Sequence, residues 1–436
     1  MGKKGKGKRK LDCVSQTLDL IQSGPPSKVP HLPHPAPAYP FGGWQRAHSP
    51  LLPPPPVLPE LPPCASGHDS GLGSSSSSSL NSPETPPLSS DCVFPQSTDG
   101  LTQEMWNFYH RHKQTNDEFL ERMHIRCVLL KHLSAVFPNG CELFAVGSTV
   151  TKIGTKAADM DLCFVPVVSF AHENDGDRVL AVSVLRSARK SLRRCPLVRQ
   201  IELVPAKVPI LRIRVRDCEL EVDMNCNNLA GVYNSHLLHY YARIDERFPA
   251  LAMLVKQWAL NEGINDARLG TLNTYSLTLM VIHFLQTAAR PPLLPNLQAL
   301  LPHIFDSRLP LHAIRLFQDL PPSVTHLQPP NRQTLGDLLI DFFNYYAAFD
   351  WSQYYISVRQ AACLPRALLD QETTCGFYMF IEEPFDALNT ARCVLRQDNF
   401  ERITSALLVM RDQLAQEQLP SLLLLGFDTD SIAAIL

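Results

Sequence analysis

The sequence contains no CxxC pair, and none of its twelve cysteines has a histidine partner at zinc spacing. That excludes a zinc finger and a disulfide framework, and reads as reduced thiols in a cytosolic or nuclear protein. No stretch of about 18 uncharged apolar residues is present, so no membrane span is expected. The N-terminus is basic but no apolar signal core follows it, so secretion is not expected. A surplus of one charge sign is also missing. With 40 Lys and Arg against 42 Asp and Glu, the formal net charge is −2. This excludes a wholly basic nucleic-acid coat protein and leaves room for a local basic groove.

What the 436 residues do hold is 45% hydrophobic side chains, enough for a sizeable core and two or three packed units. Composition changes sharply near residue 100. Residues 24–100 carry 19 of the 37 prolines, seven charged side chains and the run Ser74–Ser79. Proline removes backbone donors and serine runs bury nothing, so residues 1–100 read as a disordered tail. Its first ten residues hold six Lys or Arg, which fits a nuclear-import signal, a nucleic-acid-contacting arm or a solvated charged terminus.

From Leu101 the pattern is that of a folded protein. Residues 102–136 read as helix, 141–146 and 159–166 as strands, and 177–194 as helix, with three further strands near 199–204, 208–216 and 218–225. From about 232 the chain turns helical, and Leu335, Leu338, Leu339, Phe342 and Phe343 mark an amphipathic helix. Nine prolines between 291 and 330 predict a long, turn-rich connection. The expected fold class is α+β: a small mixed-sheet domain (131–231) set into a larger, mainly helical one. The helical domain takes 101–130 as its first helix and resumes over 232–400, and a C-terminal helix and tail follow over 401–436.

The most informative stretch is AVGSTVTKIGTKAADMDLCFVP, residues 145–166. A strand ends in Gly147-Ser148, and eleven residues after Ser148 come Asp159 and Asp161. On an extended strand, side chains at i and i+2 share one face about 6.6–7 Å apart, so two carboxylates so placed converge on a divalent ion. Gly147 lets backbone approach a phosphate, and Ser148 offers it a hydroxyl and an amide. A third carboxylate is needed for a two-metal site, and LEVDMN (220–225) presents Glu221 and Asp223 on one strand face. A DxD by itself is most often a pair of exposed acids; the full combination is far more specific.

The chain resembles terminal nucleotidyltransferases of the DNA polymerase β-like superfamily, of the cytoplasmic poly(A) polymerase type. The likeness runs from about 102 to 400. It is carried by VGSTVTKIGTKAADMDLC, KVPILRIRV, LEVDMNCNNLAGVYNSHLL, LVKQWALNEGINDARLGTLNTYSLTLMVIHFLQ and FIEEPFDALNTAR, in the family's order. The resemblance implies a nucleotidyltransferase, palm-like sheet domain and a poly(A)-polymerase-associated region at about 335–390. It also implies two magnesium ions, with manganese as the substitute, held by Asp159, Asp161 and Asp223, and it selects Asp223 over Glu221. It implies that Lys256 and Ser276 reach the triphosphate, that Tyr275 stacks on the incoming base, and that Asn234 reads the ribose. On pattern alone Lys256 is a surface helical lysine and Tyr275 a core residue. Asn227 and Asn228 read as turn residues, Trp258 as core, and the histidines at 236, 239, 283, 303 and 312 carry no assignment.

Two basic stripes are candidates for holding single-stranded RNA near its 3′ end. Arg186, Arg189, Lys190, Arg193 and Arg194 line one helix face, and Arg212, Arg214 and Arg216 alternate along the strand before Asp223. No RNA-recognition module accompanies them, so sequence choice is expected from an RNA-binding protein partner. The loop Pro384–Thr390 lacks the histidine with which related uridylyltransferases read uracil, and Leu260 stands where they tend to carry a second lysine. Both departures favour ATP and AMP addition at RNA 3′ ends, with UTP as the alternative and a catalytically silent scaffold as the remote one. The expected location is cytoplasmic, with a nuclear share left open by the N-terminal cluster.

Overall fold

A computed structural model describes residues 99–167, 177–316, 318–327, 330–369 and 376–416; of the expected tail 1–100, residues 1–98 lie outside the described residues, while Asp99 and Gly100 are helical rather than disordered. The order of elements begins α1 (Asp99–His112), α2 (Asn116–Ser134), β1 (Cys141–Val146), the single turn α3 (Ser148–Thr151), β2 (Met160–Pro166) and α4 (Asp177–Leu192). Next come β3 (Val198–Val204), β4 (Ile210–Val215), β5 (Glu221–Cys226), α5 (Leu229–Ile244), α6 (Arg247–Asn261) and α7 (Thr274–Thr287). The chain continues with α8 (Leu297–Leu300), α9 (Pro322–Thr325), α10 (Leu335–Ala347), β6 (Tyr354–Ser357), β7 (Ala362–Pro365), β8 (Ile381–Glu382) and α11 (Gln397–Ala415). The fold is α+β, as expected.

Strands β1 to β5 form one sheet in the order β1-β2-β5-β4-β3. The central pair β2 and β5 is parallel, while β1–β2, β5–β4 and β4–β3 are antiparallel. Strict alternation on β4 and β5 sorts the side chains. Leu211, Ile213, Val215, Val222 and Met224 turn to one face, where Met160, Leu162 and Phe164 join them against Leu129 and Leu133 of α2 and Leu185, Ala188 and Leu192 of α4. The opposite face carries Asp161 and Asp223. A small apolar contact of Val146 and Cys163 with Val232 brings α5 onto that face. A second, larger core joins α1, α5, α6, α7, α10 and α11, with Trp258 buried in it against Phe343 as expected.

The structure differs from the sequence reading in two places. The helix expected over 102–136 is two helices. Thr115 closes a capping box with Glu118 that starts a new helix, and Gln114 donates its backbone amide to Gly154 O, which turns the chain. Consequently α1 packs into the helical core, whereas α2 covers the sheet. The second difference is a three-stranded sheet, β7-β6-β8, within the stretch expected to be helical. Among the described residues no helix is long and apolar enough to cross a membrane.

Candidate active site

The parallel register of β2 and β5 sets Asp161 directly beside Asp223. Adjacent strands lie about 4.8 Å apart, so the two carboxylates leave the same face as immediate neighbours. Asp159, one residue ahead of β2, is accessible at the strand's mouth. Val146 flanks Asp161 on one side and Arg212 flanks Asp223 on the other.

Gly147 backs this row. Its φ of +65° suits glycine, and a Cβ built there would fall 2.8 Å from Asp161 Oδ2. Its amide donates to Ser235 Oγ of α5 at 2.7 Å, which fixes the turn against that helix. Ser148 opens α3, and the turn is closed by Gly154, where a Cβ would come within 2.7 Å of Ser148 O. Arg122 of α2, itself buried, donates to the carbonyls of Lys156 and Ala158 at 3.0 and 2.6 Å and so secures the segment that delivers Asp159.

The electrostatics report a concentration of negative charge. Burial, then Asp223 and Asp159, pushes Asp161 up to about 6, against the pull of Lys256. Asp159 is also raised, by partial enclosure and then by Asp223 and Glu221. Burial lowers Lys256, and the neighbouring Asp161 and Asp159 oppose that change. The half-buried ammonium from α6 is therefore near enough to Asp161 and Asp159 to interact with both. Three carboxylates offering hard oxygen donors and repelling one another suit a divalent cation. Among the described residues no three His, Cys, Asp or Glu side chains already form a cage for one. Asp223 is otherwise engaged: Arg212 donates Nε to Oδ1 at 3.0 Å and Nη2 to Oδ2 at 2.9 Å.

On the helical side, Tyr275 at the start of α7 donates its hydroxyl to Glu383 Oε1 at 3.0 Å. Glu383 Oε2 accepts the amides of Phe385 and Asp386, each at 2.7 Å, so one carboxylate ties the Pro384-Phe385-Asp386 turn to Tyr275. Burial pushes Glu383 up to about 6. Asn234 of α5 keeps a buried Oδ1 with no hydrogen-bond partner. Ser276 is fully buried, and its hydroxyl donates to Thr390 Oγ1 at 3.0 Å, which makes it a clasp between α7 and the 381–390 segment. Asn227, with φ +57°, and Asn228, at the start of α5, are turn residues as expected.

The two basic stripes are separated by the sheet. Arg212, Arg214 and Arg216 share the carboxylate face, but Arg214 Nε donates to Glu221 Oε1 at 2.7 Å, and Arg216 Nε to Pro196 O at 3.1 Å. Helix α4 packs on the other face, so Arg186, Lys190, Arg193 and Arg194 are exposed on the outside of that layer, with Arg189 half-buried. The structure thus does not bring the helical stripe beside Asp161.

Residues 101–243 match the family described as poly(A) RNA polymerase, mitochondrial-like, central palm domain, and 334–389 match the Cid1 family of poly(A) polymerases. A solved structure of a GLD-2/RNP-8 complex superposes with a TM-score of 0.62 at 33% identity, covering 74% of this chain and 96% of that one. The chain belongs to the GLD-2 family of poly(A) polymerases. Among curated relatives, the Drosophila melanogaster poly(A) RNA polymerase gld-2 homolog A is 37% identical over 311 residues, which is 70% of this chain and 22% of that protein. The human poly(A) RNA polymerase GLD2 is 35% identical over 316 residues, 72% of this chain and 64% of that protein. This GLD-2-family chain therefore spans less than two thirds of the length of these curated relatives.

Four contributors to the site escape a reading by motif: Arg122, Gly154, Ser235 and Glu383. Gly154 alone left a sequence signal, a second glycine seven residues after Gly147.

Proposed function

We propose that this chain is a template-independent RNA 3′-terminal adenylyltransferase, transferring AMP from ATP and releasing pyrophosphate. The observation that carries the reading is the in-register pair Asp161–Asp223, with Asp159 two residues before it and Gly147 against Asp161. Asp159, Asp161 and Asp223 would hold two magnesium ions, which when bound supply charge neutralisation for the attacking 3′-hydroxyl and the departing pyrophosphate. The protein's own part is positioning and electrostatics. Lys256, a cation beside Asp161, faces the triphosphate. The turn at Gly147-Ser148 presents backbone to it, whereas Ser276, expected to reach it too, is fully buried with its hydroxyl given to Thr390. Tyr275, fixed through Glu383, offers a ring to the base. Asn234 offers an unpaired amide oxygen to the ribose hydroxyls.

ATP rather than UTP is supported by the short Pro384–Thr390 loop, which carries no histidine. Recruitment by an RNA-binding partner is supported by the similar solved structure, in which GLD-2 is in complex with RNP-8. Arg186, Arg189, Lys190, Arg193 and Arg194 would take RNA phosphates beyond the site, while Arg212, Arg214 and Arg216 reach them only by giving up present partners. The eight described cysteines are all free thiols, which supports a cytosolic protein.

The test is primer extension by the full chain on a short RNA with a free 3′-hydroxyl, given magnesium and one nucleotide at a time. ATP-dependent extension, lost in Asp161→Ala, is the expected result. A preference for UTP would overturn the product, and extension unchanged in Asp161→Ala would overturn the site.

A further inference from the structure

Arg212 is the register partner of Asp223 across β4 and β5, and its guanidinium fork takes both oxygens of that carboxylate, at 3.0 and 2.9 Å. Two residues earlier on β5, on the same face, Glu221 puts Oε2 3.5 Å from the same Arg212 Nε. Arg212 thus stands between two carboxylates: one bound through both nitrogens, the other just beyond ordinary hydrogen-bond length. The arrangement is confined enough to be specific, since the Asp223 and Glu221 side chains are 17% and 27% exposed, and open enough at Arg212 (37%) for its head to move. Glu221 is in turn held by Arg214 through Nε at 2.7 Å, so it stays in place as a second acceptor.

The competition is geometric as well as electrostatic. A bidentate guanidinium occupies one lone pair on each carboxylate oxygen, and a hard divalent cation draws on those same oxygens. A fixed positive charge at Asp223 also lowers the attraction that the carboxylate row exerts on a cation. We propose that Arg212 is a positioning residue that holds Asp223 until a divalent cation arrives, then passes to Glu221, so that the Arg212–Glu221 pair sets how tightly the site loads metal. The inference rests on reading Asp223 as the third carboxylate of the site. It assigns to Glu221, otherwise a spare acid, the task of receiving the guanidinium.

The test measures metal binding without nucleotide or RNA. The full chain is titrated with Mn2+ alone and the free ion is read by electron paramagnetic resonance. Arg212→Met keeps the length of the side chain but removes the charge and the fork, and is expected to tighten Mn2+ binding about five- to tenfold. Arg212→Lys keeps the charge but has no fork, and should fall between wild type and Arg212→Met. Glu221→Gln should weaken binding, and by a larger factor when Arg212 is present than in the Arg212→Met background. Misfolding does not mimic tighter binding, and Arg212→Lys remains readable if the methionine variant does not fold. Unchanged or weaker binding in both Arg212 variants overturns the proposal. Mn2+ binding unaffected by Asp161→Asn would instead overturn the carboxylate site itself, so the two failures are distinguishable.

Discussion

Gly147 and Asp161 touch across β1 and β2: a side chain at the glycine would start 2.8 Å from Asp161 Oδ2. The backbone there has φ +65°, so alanine at this position is strained twice, by its own conformation and by the carboxylate it displaces. Gly147→Ala is expected to cost about 1–3 kcal/mol of stability and to lower kcat/KM for primer extension by roughly 100-fold. Gly231→Ala is the control. It lies in α5 with its nearest neighbour at an ordinary 3.6 Å, and should leave the urea midpoint unchanged or slightly higher.

Lys256 is a half-buried cation whose charge is compensated by the carboxylates it faces. Replacement by methionine keeps the packing of the stem and removes the ammonium. Extension with ATP should fall about 100-fold or more, while the thermal midpoint stays within a few degrees of wild type. A loss of folding without a selective loss of activity would place Lys256 in the scaffold instead.

Arg122 is 3% exposed and spends its guanidinium on backbone carbonyls of the segment before Asp159. Arg122→Leu leaves Lys156 O and Ala158 O without those donors. The expected cost is about 2–4 kcal/mol in urea unfolding, with a drop in extension that added Mg2+ does not restore. Arg122→Lys should recover part of the stability, because an ammonium can serve one carbonyl but not hold the two in a fixed fork.

Acid sensitivity should come from imidazoles the mechanism does not use. Burial lowers His236 and His239 from 6.5 to about 4, and His283 to about 3. The unfolded chain takes up protons near pH 6.5 that the folded chain refuses. The stability these groups contribute is therefore fully present above pH 6.5 and is lost as pH falls towards 4 and then 3, at about 1.4 kcal/mol per tenfold change in proton affinity. His239→Asn can still donate to Val150 O, which His239 Nδ1 contacts at 2.6 Å, so it should unfold with a shallower pH dependence between 6.5 and 4. An identical slope in urea titrations at pH 7.5 and 5 would exclude His239 as a source.

Strand periodicity paired Asp159 with Asp161 and narrowed the third carboxylate to Glu221 or Asp223, because one face of a strand is fixed by counting in twos; the resemblance chose between those two. The glycine turn was legible for a similar reason, since Gly147 needs a conformation few other residues adopt. Lys256, Tyr275 and Asn234 came from family resemblance, because their helices carry no local mark separating a site residue from a core one. The break at Lys113–Thr115 was written in the capping signal Thr115–Glu118, but the apolar residues on both sides masked it as one long helix. The pairing of Arg212 with Asp223 was not legible at all. It depends on which residue of β4 lies opposite which residue of β5, and that register follows from the finished sheet. Arg122 and Glu383 escaped for the same physical reason: each has a partner far away in the chain, the carbonyls of Lys156 and Ala158 for Arg122 and the Tyr275 hydroxyl for Glu383.

The alternation of β5 gives this protein a form of proofreading over its own folding. Asp223 lies between Val222 and Met224, both of which are fully buried. A one-residue slip of β5 against β2 would send the carboxylate into the apolar layer and bring a methionine or valine beside Asp161. Such a molecule would carry every residue the chemistry needs and perform none of it. Turnover per molecule is therefore a sensitive gauge of strand register, reporting a displacement of some 3 Å that the amount of secondary structure would leave unseen.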